Sequence, residues 1–139
     1  MTVLGSQLPD RMDLAAAAQQ VFDLCEETNG ATLNLYRGSL AGHKCYAVST
    51  HPDRTMILEG RDITPEQLHA YIEANLDLLD RFENSVGVWY DDRLDETFYD
   101  VSTIIEDREV AIETALTHGE LAICYLFDLS IIDLNMDSG

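Results

Sequence analysis

The apolar residues of this chain occur in short runs, and most of these runs follow one another with only a turn between them. Parallel strands need a crossover of a dozen or more residues, so runs this close together predict hairpins and a largely antiparallel sheet. The predicted strands are residues 32–37, 43–49, 55–58, 86–90, 97–105, 121–127 and 130–134.

Three segments carry helix signals. The first begins behind a capping aspartate near the start of the chain and stops before Gly30. The segment Thr64-Pro65-Glu66-Gln67 combines a capping threonine, a proline at the first helical position and a glutamine that completes a capping box, which predicts a helix over 65–81. Asp107 can cap a third helix that ends at His118. The predicted fold is α+β, in the order α-βββ-α-ββ-α-ββ, with about three helices packed on a mostly antiparallel sheet.

The size of the chain predicts a single domain, and its cysteines and first residues predict a reducing, cytoplasmic environment. Its 139 residues, 46% of them hydrophobic, suffice for a single core. We expect one acidic domain over residues 1–139, with residues 1–9 and 135–139 loose. The three cysteines are odd in number and have no CxxC spacing, which favours free thiols. The first residues lack the pattern of a signal peptide and no apolar run is long enough to span a membrane.

Charge is the most unusual property of the composition. The chain has 26 acidic and 8 basic residues, a formal net charge of −18. Ten acids lie in residues 1–75 and sixteen in residues 76–139, so the excess is greatest in the second half. Phosphates repel such a chain, which argues against direct binding to nucleic acid or to an anionic membrane and favours a basic protein partner. Adaptation to a salt-rich or GC-rich host is the alternative explanation.

The candidate partner-binding residues follow from this excess. If the helices over 65–81 and 107–118 lie side by side, their outer carboxylates form a continuous negative surface that can occupy a phosphate-binding groove. Trp89 and Tyr90 point to opposite faces of a strand, so one of them can be an exposed anchor. The alternative is a merely solvated acidic surface. The predicted partner-binding residues are Asp77, Asp80, Asp91, Asp92, Asp95, Glu96, Glu106, Asp107, Glu109, Glu113 and Trp89.

No catalytic residue, metal site or cofactor is predicted. The acidic turn 91–96 could hold a hard cation, but the spacing and central glycine of an EF-hand are absent. His43 and Cys45 are the least improbable catalytic pair, although residues two apart on a strand lie roughly 7 Å apart at their bases. Phosphate-binding loops, dinucleotide fingerprints and serine-hydrolase elbows do not occur.

Residues 85–126 carry a Val/Trp/Tyr strand, an acidic turn, a strand containing Tyr-Asp-Val-Ser and a helix start Glu-Asp-Arg-Glu. This stretch, under a third of the chain, resembles small acidic uncharacterised proteins of actinobacteria and their phages. The resemblance implies no activity for any residue. A phage origin would imply an accessory role against host defences.

Three functions are therefore open at this point. The first is an acidic inhibitor or nucleic-acid-mimicking decoy that binds a basic, nucleic-acid-acting protein, as in anti-defence or immunity proteins. The second is a homo-oligomeric assembly module, possible as a homodimer through the apolar edge at residues 121–134 and Trp89. The third is a small cytoplasmic enzyme without a recognisable motif.

Overall fold

The computed structural model describes residues 10–120 and 122–134, and within them it contains four α-helices and eight strands. The helices are α1 (Leu14–Thr28), α2 (Pro65–Ala74), α3 (Leu76–Leu79) and α4 (Arg108–Thr117). The strands are β1 (Gly30–Asn34), β2 (Gly38–Ser39), β3 (Tyr46–Ser49), β4 (Met56–Glu59), β5 (Asn84–Asp91), β6 (Glu96–Ile105), β7 (Ala122–Tyr125) and β8 (Ser130–Asp133). None of the helices in these ranges combines the length and apolar character needed to span a bilayer.

The strands form one curled antiparallel sheet in the order β2-β1-β5-β6-β3-β7-β8. Strand β6 is long enough to pair with two strands on its far side. Its first half pairs with β4 over residues 96–99, and its second half pairs with β3 over residues 102–105. Asp100 and Val101 therefore lie on β6 where one neighbour ends and the next begins.

All four helices pack against the same face of the sheet. Helices α1, α2 and α3 cover β1, β5 and β6, where Leu33, Val86 and Val101 are fully buried. Helix α4 covers β3, β6 and β7 through a separate apolar cluster that includes Ile105. Val101 and Ile105 are four residues apart on β6, so both clusters lie on one side of the sheet.

The predicted α+β class with a mostly antiparallel sheet is confirmed, but the exact order differs and reads α-ββββ-αα-ββ-α-ββ. The helix predicted over 65–81 breaks at Asn75, whose side-chain amide donates to the carbonyl of Tyr71 and whose backbone leaves the helical region. The first helix stops before Gly30 as predicted, but the left-handed capping residue is Asn29, at φ 67°, rather than the glycine.

Two further sequence expectations need correction. A short strand β2 forms between the predicted strands 32–37 and 43–49, and β3 begins only at Tyr46, so His43 does not lie on a strand. The capping box at Thr64 and the cap at Asp107 are both present. The expected loose ends, residues 1–9 and 135–139, lie outside the described residues.

Candidate functional site

The sheet face opposite the helices, here called the open face, has its side chains in rows across the strands. Directly opposed residues of antiparallel strands point to the same side, so the register assigns each row. The row nearest the β5–β6 turn is acidic, with Glu96 opposite both Asp91 and Glu59. The next row is aromatic and apolar, with Phe98 opposite both Trp89 and Ile57.

The following rows change from apolar to polar. Asp100 lies opposite Gly87, and Ser102 lies opposite Ser85 on β5 and Ser49 on β3. Beyond these serines, two of which are buried, Ile104 lies opposite Ala47 in an apolar row that packs against Leu40 and Leu126. The open face therefore carries, in this order, carboxylates, aromatic rings, a single aspartate, largely buried hydroxyl groups and an apolar end.

The curl of the sheet turns this face into a cleft of about 490 Å³. The segment after β2 helps to close it, because the Leu40 amide donates to the Thr32 carbonyl on β1 and the Gly42 amide donates to the Leu126 carbonyl after β7. The cleft's floor and walls include Thr32, Ala47, Trp89, Phe98, Asp100, Ser102, Glu120, Ala122 and Ile131. Its volume and its mostly apolar lining, with a few polar groups, are typical of ligand sites.

Asp100 is the central polar group of the cleft. Its carboxylate accepts a hydrogen bond from the Ser102 hydroxyl at 3.2 Å. The carboxylate lies over the opposing residue, and a Cβ built on Gly87 would lie 2.5 Å from Asp100 Oδ1, so a side chain there would displace the carboxylate from this position. Burial, opposed by the Ser102 bond and reinforced by the charge of Glu120, raises the pKa of Asp100 to about 6.

A second carboxylate, that of Glu120, also lines the cleft. Burial raises its pKa, while the charge of His118 acts in the opposite direction. Among the described residues that line the cleft, none is lysine, arginine or histidine. The cleft is therefore an apolar concavity that contains two carboxylates and no basic side chain of its own in the described lining.

Trp89, a predicted anchor, lies at the cleft and is 47% exposed. Its ring packs against that of Phe98, with 5.6 Å between the ring centroids. Tyr90 points to the other side of β5, where Arg61 lies over its ring and its hydroxyl donates to Asp95 at 2.6 Å. The expectation that one of the two residues is an exposed aromatic is met by Trp89.

Eight of the ten predicted carboxylates are exposed, but several are already engaged. Asp77 forms a bidentate ion pair with Arg54, whose two terminal guanidinium nitrogens lie 2.9 and 3.1 Å from the carboxylate oxygens. This pairing lowers the pKa of Asp77. Asp80 accepts from the Tyr36 hydroxyl at 2.6 Å and from Arg11 at 3.3 Å. These two carboxylates tie neighbouring elements together.

At the β5–β6 turn, the expectation that Asp91 is exposed is wrong. Asp91 is 5% exposed, and its carboxylate accepts the backbone N–H of Arg93 at 2.9 Å, so it shapes the turn. Asp92 and Asp95 are exposed and Glu96 is half-buried. This group, Asp92, Asp95 and Glu96, is called the turn acids below.

The remaining four predicted acids lie at α4. Asp107 caps the helix by accepting the Val110 amide at 3.0 Å, and Glu106, Glu109 and Glu113 are exposed beside it. This group is called the α4 acids. Glu96 and Glu106 flank the length of β6, so the turn acids and the α4 acids lie roughly 30 Å apart at about 3.4 Å per residue.

The expectation that the helices over 65–81 and 107–118 lie side by side is also wrong, so their outer carboxylates do not form one continuous surface. Helix α2 packs against α1, whereas α4 packs in its own cluster over β3 and β7. The carboxylates at the turn are also not confined to the second half of the chain, because Glu59 lies beside Glu96.

The histidine–cysteine pair has no catalytic geometry. Cys45 is buried with Leu40 and Leu126, burial raises the pKa of its thiol, and His43 is exposed. Cys25, Cys45 and Cys124 are free thiols. Within residues 10–120 and 122–134, no three histidine, cysteine, aspartate or glutamate side chains converge as metal ligands would.

Sequence reasoning missed the cleft itself. Asp100 and Glu120 belong to the sixteen acids of residues 76–139 but are not among the predicted partner-binding residues, and neither is Gly87. The available signal was Asp100 within a strand whose other face is Tyr99 and Val101, since aspartate is depleted in strand interiors. Its pairing with Gly87 depends on register, which the sequence pattern leaves open.

No protein-family model matches the chain, and no curated protein or solved structure is significantly similar to it. The resemblance of residues 85–126 to small acidic proteins of actinobacteria and phages stays a prediction. The cleft and the exposed carboxylates are the features from which a function is inferred.

Proposed function

We propose that this chain is an acidic binding protein that holds a basic protein partner on its open face. The observation that carries the proposal is the lining of the cleft, which joins aromatic and apolar surface to two carboxylates without a described basic residue. Such a lining complements a segment that is both apolar and cationic. A buried carboxylate without a countercharge, such as that of Asp100, weakens a fold, and a cationic group of the partner that pairs with it relieves this cost.

The net charge of −18 supports the same partner class at longer range. A field of this sign speeds the approach of basic surfaces and disfavours acidic ones. The exposed carboxylates need not form one continuous patch for this effect, because steering depends on the summed charge. The partner class that this favours includes the basic, nucleic-acid-acting proteins expected from the sequence.

The decoy is the second candidate, and one observation favours it. Eight of the ten carboxylates proposed as a phosphate mimic are exposed. In this mode the partner contacts the turn acids or the α4 acids rather than the cleft, and the chain inhibits by excluding nucleic acid. A homo-oligomer is the third candidate, favoured by the edge strand β8 with Ile131 56% exposed.

Affinity capture with matched variants tests the three candidates. Wild type, a cleft variant Trp89→Ala and an outer variant Glu109→Lys/Glu113→Lys are immobilised, exposed to lysate at low salt and eluted with a salt gradient. The open-face proposal expects a basic protein to be retained by wild type and by the outer variant and lost by Trp89→Ala. Circular dichroism checks that each variant is folded.

The opposite result, retention by Trp89→Ala and loss by the outer variant, rejects the open face and supports the decoy. A partner that resists elution at high salt and is indifferent to both variants contradicts both. Light scattering at several concentrations tests the oligomer, which requires a dimer that Ile131→Asp dissociates.

A further inference from the structure

We infer that the cleft receives one cationic side chain of the partner, a lysine ammonium or an arginine guanidinium, which passes the Trp89–Phe98 pair and binds the Asp100 carboxylate. The inference rests on the proposed function and names the chemical group that the open face recognises. Three features of the cleft support it independently of the overall charge.

The first feature is the room left for the Asp100 carboxylate. Gly87, directly opposite on β5, has no side chain, and a Cβ there would collide with Asp100 Oδ1. On the other side of β6, the paired segments of β4 and β3 end on either side of Asp100. The carboxylate therefore faces the cleft with one described hydrogen bond, from Ser102, which leaves acceptor capacity for a donor that enters the cleft.

The second feature is the unbalanced charge of the lining. Asp100 and Glu120 both line the cleft, and the charge of Glu120 disfavours ionisation of Asp100. No lysine, arginine or histidine occurs among the described lining residues. An entering cation supplies the countercharge that the described side chains of the cleft do not provide, and the pairing is strengthened by the partly desolvated surroundings.

The third feature is the approach to Asp100. Trp89 and Phe98 lie one row nearer the β5–β6 turn, on the same face, and their rings are in contact. Aromatic rings attract cations over their faces and cover the apolar stems of long basic side chains. A lysine or arginine side chain combines an apolar stem with a terminal donor, which matches this order of aromatic row and carboxylate.

Four capped tripeptides test the inference on the folded chain. They are acetyl-Leu-X-Leu-amide with arginine, lysine, citrulline or norleucine at X, titrated at pH 7.5 and low salt. The chain has one tryptophan, so its fluorescence reports the cleft directly. We expect the arginine or lysine peptide to bind roughly 10- to 100-fold more tightly than the citrulline and norleucine peptides, as a charged hydrogen-bonded partner provides.

Matched variants separate the cleft from the net charge. Asp100→Asn and Glu113→Gln each remove one negative charge, but Glu113 lies exposed on α4. Asp100→Asn is expected to abolish the preference for the cationic peptides, and Glu113→Gln is expected to preserve it. The arginine and lysine arms then show which of the two cations the cleft prefers.

The preference should also weaken at pH 5, where Asp100 is mostly protonated. The titratable groups near Asp100 are Glu120 and Cys124 of β7, which line the cleft with it, and Tyr71 of α2, which lies on the other side of the sheet, while His118 acts on Glu120. Glu120 gains a proton in the same direction as Asp100, whereas Cys124 and Tyr71 are neutral at both pH values because burial raises their pKa. Asp100→Asn abolishes the preference and should therefore also remove its pH dependence, whereas Glu120→Gln alone should leave most of that pH dependence in place.

Binding of the norleucine peptide as tightly as both the arginine and the lysine peptides overturns the inference and makes the cleft a neutral apolar site. A preference that Glu113→Gln reduces as much as Asp100→Asn overturns it as well, since it then reflects net charge alone. If no tripeptide binds while a basic partner is still captured in a Trp89-dependent manner, the inference fails and the proposed function stands. Capture that is independent of Trp89 rejects the proposed function itself.

Discussion

The two faces of the sheet are built from the same strands but serve different ends. On the helix-covered face, Leu33, Val86, Tyr99 and Val101 are fully buried under α1 and α2. On the open face, the residues between them along the same strands include the half-exposed Trp89 and the carboxylate of Asp100. The helix-covered face is apolar along its length, whereas the open face buries apolar residues only at the end near Leu40 and Leu126 and elsewhere retains exposed rings and a carboxylate that stability alone does not require.

The largest expected effect is the difference in stability between an isoleucine-to-alanine substitution on the helix-covered face and the same substitution on the open face. Ile72→Ala on α2, at a fully buried position, should lower the free energy of unfolding by about 2 to 5 kcal/mol through lost burial and a cavity. Ile57→Ala on the open face, where the side chain is 53% exposed, should cost less than about 1 kcal/mol. Urea unfolding of both variants measures the difference, and equal costs would mean that the open face also carries the fold.

The next effect concerns Asp100, whose folded-state pKa of about 6 lies above the unfolded value of 3.8. The folded state therefore binds the proton more tightly, so this group's contribution to stability is present below about pH 4 and is lost as pH rises through 6. Asp100→Asn should be more stable than wild type at pH 7 by about 2 to 3 kcal/mol, at about 1.4 kcal/mol per pKa unit.

Unfolding of wild type and Asp100→Asn at several pH values between 4 and 7 measures this difference. The gap between the two proteins should close towards pH 4, whereas other carboxylates affect both proteins alike. A gap that is constant with pH would show that Asp100 titrates normally and that the cleft does not strain it. A residue that lowers the stability of the fold at neutral pH is expected where it serves binding, because function is often kept at a cost in stability.

The sequence predicted the local elements of this fold and missed how they combine. The capping box at Thr64, the cap at Asp107 and the alternation around the 91–96 turn each depend on neighbours in the chain, so they were readable. The break at Asn75 depends on hydrogen bonds to Tyr71 and Arg54 within the folded structure. The pairing of β1 with β5, and of Gly87 with Asp100, depends on long-range register.

The same dependence on long-range contacts explains why the sequence did not locate the cleft. The predicted acids were chosen by their density along the chain, which is blind to the roughly 30 Å that β6 places between the turn acids and the α4 acids. The exposure of Trp89 could be anticipated because neighbouring residues of a strand face opposite ways, whereas its role in partner binding stays a prediction. Asp100 and Glu120 are twenty residues apart in sequence, and only the curl of the sheet brings both to one cleft.

A smaller effect is expected at the one buried side-chain polar atom that lacks a hydrogen-bond partner among the described residues of the helix-covered face. The buried hydroxyl of Tyr99 has no hydrogen-bond partner among the described residues, although its ring packs edge-on against Tyr71. Tyr99→Phe should therefore raise the free energy of unfolding by about 1 kcal/mol, because it removes an unsatisfied buried group. The control is Tyr71→Phe, which removes the bond to the Arg54 carbonyl at 2.8 Å and should lower stability by about 1 kcal/mol. Denaturant midpoints that fall in both variants would indicate that the Tyr99 hydroxyl is satisfied after all.

The smallest effect lies on the outer surface, at Glu109 and Glu113 of α4. These carboxylates are four residues apart on one side of the helix, so they repel each other at their common face. Glu113→Lys converts the repulsion to an attraction and should raise the free energy of unfolding by about 0.5 kcal/mol at low salt. The gain should disappear near 1 M salt, where charges on the surface are screened within about 3 Å.

Because α4 covers the other side of the sheet, the same variant should leave Trp89 fluorescence titrations of the cleft unchanged, whereas a decoy that used the α4 acids would lose its partner. A stability gain accompanied by lost partner binding would therefore move the function from the open face to the outer acids.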